Sequence, residues 1–153
     1  MRKAFTLLEV TVVIVILGIL AATVVPRFAG ASDTARGTAT ESALAAARSA
    51  IATFRARAVI QGSPAYPTLA ELTQPATVLQ QGIPRNPYNN LNTVQIVTLA
   101  QAQARAVSAE ASFAWNYYFD NTADPPISIF YANTSKITTV PDGAGGYAYA
   151  NQL

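Results

Sequence analysis

Neither cysteine nor histidine occurs among the 153 residues. The first absence excludes a disulfide, a thiolate nucleophile and a cysteine-based metal site. The second removes the commonest general base and the commonest zinc ligand. A chain that folds without oxidation chemistry suits a compartment outside the cytoplasm. Charge is scarce as well, at 12% of residues, where a soluble domain typically carries about 25%. Catalysis would then need paired carboxylates or a Ser–Lys arrangement. Ser135 and Lys136 are adjacent, so in a strand they point to opposite faces. Gly143 to Gly146 lacks the lysine and helix that complete a phosphate-cradling loop. No enzymatic role is expected.

The sequence pI of 9.1 invites a nucleic-acid reading. Ten Lys/Arg stand against eight Asp/Glu, and removing Arg2 and Lys3 leaves eight of each sign. Arg27, Arg36, Arg48, Arg55 and Arg57 are spaced like solvated helix positions and are offset by Asp33 and Glu41. No basic stripe with interleaved aromatics lines up against phosphates, and nucleic acid is not an expected partner.

What the chain does have is one long apolar run. Residues 10–25 contain no charge, and residues 5–25 as a helix would span about 31 Å, close to the thickness of a bilayer's hydrocarbon core. Arg2 and Lys3 followed by apolar and then small residues fit a secretory signal peptide. Two features weigh against it: the run is long, and a carboxylate, Glu9, sits inside it. An acid in a membrane span costs on the order of 2.5–3.5 kcal/mol on insertion scales and ordinarily has a partner. No basic residue lies in the run. A second copy of the helix, with a free amino terminus at Phe5, would supply an ammonium there.

Ala4-Phe5-Thr6-Leu7-Leu8-Glu9-Val10 and the apolar run behind it resemble the processing and methylation motif of type IV prepilins and pseudopilins. The resemblance implies cleavage by a prepilin peptidase between Ala4 and Phe5, methylation of the Phe5 amine, and Glu9 as the assembly residue. Ala4 stands where the family commonly has glycine. Gly18 and Pro26 fall where the family has a glycine and a proline. Inside a helix, Pro26 would remove the hydrogen bond to Ala22 and clash with its carbonyl. Residues 22–26 are therefore expected to kink or melt, or else the helix ends at the membrane surface.

Past Pro26 a helical pattern resumes, with Phe28, Ala31 or Ala35, Ala39, Ala43, Ala46, Ala50 and Phe54 at three- and four-residue steps and Leu44, Ala47 and Ile51 beside them. Gly30 and Gly37 read as weak points, and Gly62-Ser63-Pro64 as the stop. The expectation is one helix of roughly 55 residues, about 80 Å long. Thr68 and Glu71 mark a short capped helix. Strands are expected at residues 93–99, 113–119 and 127–132, with a weak fourth strand or tail at 145–149. Residues 101–110 read as a helical turn or loop.

Tyr66-Pro67, Gly82-Ile83-Pro84-Arg85-Asn86-Pro87-Tyr88, Trp115 and Tyr117 resemble the major pseudopilins of type II secretion. That likeness implies calcium held in a carboxy-terminal loop, with Asp120, Asn121 and Asp124, and more distantly Asp142, as candidate ligands. Hard cations take six to eight oxygens, and a plain polar turn before Pro125-Pro126 is the competing reading.

The expected protein is α+β: a long amino-terminal helix packed on a small antiparallel sheet, pilin-like. It divides into a leader (1–4), a membrane and assembly helix (5–25), a helical stalk (26–61) and a small periplasmic domain (62–153). The resemblance implies a single pass through the inner membrane and polymerisation with itself and other pilin-like subunits into a periplasmic filament. Prepilin peptidase and an inner-membrane assembly platform would be its partners, and type II secretion its purpose. The alternatives are a type IV pilin for adhesion, motility or DNA uptake, and a membrane-tethered binding domain.

Overall fold

The computed structural model describes residues 6–153, apart from the side chains at positions 27 and 29. Helix α1 spans Leu7–Gln61, 55 residues, or about 82 Å at 1.5 Å per residue. Its interior is rich in alanine, the strongest helix former. It stops at Gly62, which takes a left-handed φ of 66° while its N–H bonds to the Ala58 carbonyl, a backbone shape that glycine adopts without a Cβ penalty. The helix runs unbroken through Gly18 and Pro26, which corrects the reading in which it ends at the proline.

The two halves of α1 have different surroundings. Every described side chain from Leu7 to Arg36 is exposed. From Gly37 onward one stripe is buried: Gly37, Thr40, Leu44, Ala47 and Ile51 in alternating steps of three and four, then Ala58 two turns further along the same face. The expected stripe lay to one side of this. Phe28 is 71% exposed, Ala39 and Ala46 face solvent, and Leu44, Ala47 and Ile51, read as neighbours of the stripe, carry the contact. Alanine is a sound guide to helix and a poor one to its buried face, because a methyl group gains little on either side. Burying Leu44 or Ile51 contributes about 1.5–3 kcal/mol each.

Five short strands and two short helices follow. They are α2 (Leu69–Thr73), β1 (Val94–Ile96), α3 (Leu99–Gln103), β2 (Trp115–Asp120), β3 (Ile127–Ala132), β4 (Ile137–Pro141) and β5 (Tyr147–Tyr149). A single 3₁₀ turn, Ala150–Gln152, comes last. Antiparallel pairing joins β2 to β3 and β4 to β5, while β1 adds to β2 in parallel. The parallel step needs a long crossover, which α3 and the segment behind it supply. The architecture is the expected α+β arrangement of a long helix on small sheets. Strand β4 was not anticipated, and it packs directly on α1.

One face of β2–β3 presents Trp115, Tyr117 and Phe130 to Leu44, Ala47 and Ile51. Trp115 stacks on Phe130 with ring centroids 5.6 Å apart. The other face turns Tyr131 towards Val97 and Ala102. The segment 62–92, which includes α2, is fastened to the sheet by side-chain hydrogen bonds given from both sides. Tyr117 Oη donates to the Pro67 carbonyl (2.9 Å), Trp115 Nε1 to that of Pro84 (2.8 Å), and Asn86 Nδ2 to that of Ala114 (3.0 Å). Each such bond contributes about 0.5–1.5 kcal/mol net.

Candidate functional site: the amino-terminal half of the long helix

The cut proposed between Ala4 and Phe5 lies outside the described residues. Immediately after it, Thr6 caps α1. Its hydroxyl accepts the Glu9 N–H at 3.3 Å, and Glu9 Oε2 accepts the Thr6 N–H at 2.9 Å and the Thr6 hydroxyl at 3.0 Å. This reciprocal arrangement is a capping box, in which two amide donors that a helix start leaves free are satisfied. Glu9 thus has a partner inside its own helix, where sequence reasoning placed one only on another copy. The signal was present: Thr6-x-x-Glu9 has the same spacing as Thr68-x-x-Glu71, which forms its own box at α2. Only one carboxylate oxygen is used; Oε1 has no hydrogen bond among the described residues. That oxygen keeps its lone pairs for a second interaction.

Between Val10 and Val25 both polar side chains are satisfied locally. Thr11 donates its hydroxyl to the Leu8 carbonyl and Thr23 to that of Leu20, both at 2.9 Å, so these threonines are satisfied within the helix as a hydrocarbon environment requires. Large apolar side chains lie open on all sides, Leu7 being 82%, Ile14 62% and Val25 66% exposed. Among the described residues α1 is the one helix long and apolar enough to cross a membrane. Exposed apolar surface on this scale marks a membrane or protein contact.

The carboxy-terminal candidates are placed differently. Asn121 is bonded to both backbone groups of Tyr66: its Oδ1 accepts the N–H at 2.7 Å and its Nδ2 donates to the carbonyl at 2.9 Å. Asp120 Oδ1 accepts the Thr122 amide and hydroxyl and the Ala123 amide. The Thr122 hydroxyl and amide hold its carboxyl below the usual range. Asp142 Oδ1 accepts the Ala144 and Gly146 amides at 2.8 and 2.9 Å, which lower its carboxyl likewise. Asp124 makes no hydrogen bond to this group. These are the bonds of polar turns, and no cluster of three or more acidic side chains converges among the described residues.

One open apolar half-helix and one packed half-helix define a class: an α+β chain whose long helix is apolar enough at one end to cross a membrane and packs a small domain at the other. Comparison with known proteins places it further. Residues 1–25 match the prokaryotic N-terminal methylation motif. The chain is 48% identical over 59 residues to the type IV narrow pilus major component PilA5 of Thermus thermophilus. That stretch is 37% of this chain and 51% of the relative, so the match spans about half the relative's length. No solved structure matches. The amino-terminal part of the chain is therefore similar both to a prokaryotic methylation signal and to a type IV pilus component.

Proposed function

We propose that the chain is a structural, non-catalytic subunit that polymerises through α1 into a type IV pilus-like filament. The observation that carries this reading is the contrast along α1. Thirty residues, Leu7 to Arg36, expose every described side chain, and they need a bilayer before assembly and neighbouring helices after it. In this reading a prepilin peptidase cuts between Ala4 and Phe5 and methylates the new amine. The subunit waits in the inner membrane by a single pass, with its domain in the periplasm. An assembly platform then docks it beside other pilin-like subunits. Oε1 of Glu9, left free by the capping box, takes the ammonium of an adjacent copy.

A pilus is favoured because the relative is a pilus component. A type II secretion pseudopilus is the second reading. The segments that carry it meet in space, since Tyr117 and Trp115 hold the carbonyls of Pro67 and Pro84, and the chain has no cysteine to close its carboxy-terminal region.

Mass spectrometry of the mature amino terminus tests the family mechanism. A methylated Phe5 is expected; an intact Met1, or a cut near residue 29, refutes it. Glu9→Leu is expected to lower filament yield at least tenfold while the melting temperature of the folded domain stays put. Unchanged polymer yield sinks the electrostatic pairing. Loss of surface fibres in a deletion strain, with secretion intact, selects the pilus over the pseudopilus.

A further inference from the structure

Strand β3 pairs with β2 on one side only. Because the Tyr117 carbonyl accepts the Val97 amide on the β1 side, the opposed Tyr117–Phe130 pair turns its backbone groups away from one another. Phe130 therefore offers its carbonyl to the open edge, and Arg48 reaches it from α1. Nε and Nη2 donate to that carbonyl at 3.1 and 3.0 Å, and Nη2 also to the main-chain oxygen of Leu153 at 2.8 Å. Two turns along α1, Arg55 lies over the Tyr66 ring, 5.2 Å from its centroid. Arg105 lies over Tyr131 at 5.7 Å and gives one bond to the Asn151 carbonyl at 3.4 Å. All three arginines, with Tyr66, Ser128 and Phe130, line one groove of about 340 Å³ between α1 and the edge of β3.

Three positive charges share this concavity, and no Asp or Glu side chain pairs with any of them; among the described residues the ion pair found is Asp33–Arg36. Each guanidinium carries five N–H donors. Those of Arg55, Nη1 of Arg48, and Nε and Nη2 of Arg105 have no protein acceptor among the described residues. The cluster is also held against resistance. Burial and the nearby Arg105 both disfavour the charge on Arg48. Arg105 has a φ of 51° at the residue that closes α3, where its amide bonds to the Ala102 carbonyl at 3.2 Å and the Ala106 amide to that of Gln101 at 2.9 Å. This left-handed closing position usually belongs to glycine. Here it carries the longest cationic side chain and delivers it to the groove.

We propose that the groove formed by Arg48, Arg55 and Arg105 is an oxyanion-binding site for a carboxylate or a phosphate. Planar guanidinium forks match both groups, and a half-enclosed setting strengthens the attraction. Arg48 is the fixed member, since it clamps the strand edge; Arg55 and Arg105 have donors to spare and take the ligand. Two sources carry this chemistry: an acidic side chain of a second copy, or a free phosphate-bearing solute. The site does not depend on the filament reading, because its residues lie wholly outside the anchor.

Arginine-selective 15N NMR of the full chain in detergent micelles, titrated with inorganic phosphate, tests this directly. Saturable shifts are expected at the Nε–H signals of Arg48, Arg55 and Arg105, with Arg57 unmoved. Arg55→Gln and Arg105→Gln should each weaken the phosphate dissociation constant about tenfold, while fluorescence of the single tryptophan reports an unchanged fold. Shifts that are non-saturable and reproduced by sodium chloride of equal ionic strength overturn the proposal, as does full phosphate affinity in both variants. Sedimentation separates the sources. Self-association that phosphate disperses and Arg55→Gln abolishes assigns the site to a second copy; phosphate binding by a protein that stays monomeric assigns it to a solute.

Discussion

Exchanging Asn133 for aspartate keeps the shape of the side chain and replaces one NH₂ by an oxygen. Asn133 is fully buried. Its Oδ1 accepts the Ser108 amide at 3.0 Å and Asn116 Nδ2 at 3.1 Å. Its Nδ2 donates to the carbonyls of Ser108 and Phe113 at 2.7 and 3.0 Å. An aspartate keeps the accepting side and loses both donations. Neither carbonyl is orphaned, because Gln95 still donates to Ser108 and Asn89 to Phe113, at 2.9 and 3.1 Å. The lost bonds alone therefore cost about 2 kcal/mol, at about 1 kcal/mol each. Ionisation adds to this: a buried carboxylate facing two carbonyl oxygens is disfavoured. Raising its pKa by about two units over the unfolded value near 3.9 adds roughly 3 kcal/mol. The sign follows from a folded-state pKa above the unfolded one. The extra penalty is absent below about pH 4, grows as pH rises, and levels off above the folded pKa near 6. Protonated at pH 4, the acid also returns one donor. Urea unfolding of the full chain in micelles, followed by tryptophan fluorescence and referred to the parent at each pH, should show a loss of about 1–2 kcal/mol at pH 4 and about 5 kcal/mol at pH 8. Equal losses at the two pH values would refute the donor–acceptor arrangement.

Tyr117→Phe removes a buried hydroxyl from the Pro67 carbonyl and should cost about 1–2 kcal/mol in thermal melts. Burial pushes the Tyr117 phenol far above its ordinary range, so its contribution is complete below about pH 10 and declines at higher pH. The alkaline loss of stability should accordingly be shallower in the variant. Gly37 lies against β4, where an added Cβ would sit 3.3 Å from the amide nitrogen and hydroxyl of Thr139. Gly37→Ala gains about 1 kcal/mol of helix propensity against that contact and should melt near the parent. Gly37→Leu should lose about 1–3 kcal/mol by overpacking, and a leucine variant as stable as the parent would mean that helix and strand are not in contact there.

The parts of this protein that were readable in its sequence are those written in a repeating or positional code. The apolar run, the Thr68–Glu71 box, the alanine helix and the strand Ile127–Ala132 all follow from spacing. The Gly62 stop follows from backbone chemistry. The Thr6–Glu9 box was equally legible and was obscured by the stronger oddity of an acid in an apolar run. Strand β4 carries a β-branched stretch, Ile137 to Val140, but its partner at β5 is three residues long and no hairpin signal of two residues joins them. The polar interior was not legible. Asn86, Asn116, Asn133 and Thr134 are fully buried, and asparagine in a sequence reads as a turn former. Only the fold reveals that these amides span segments far apart in the chain. The arginine groove was hidden for the same reason: Arg48 and Arg55 look like solvated helix positions until β3 and the turn at Arg105 are set beside them.

No described side chain among the first thirty residues of α1 is buried in the domain. Anchoring and folding are therefore written on one continuous helix without sharing a side chain. Substitutions within the apolar stretch can tune how firmly the subunit is held by lipid or by its neighbours while leaving unfolding free energy where it was. In the proposed assembly, passage from bilayer to fibre would change the solvent of one half of the helix and keep the other half, with everything packed on it, as it found it.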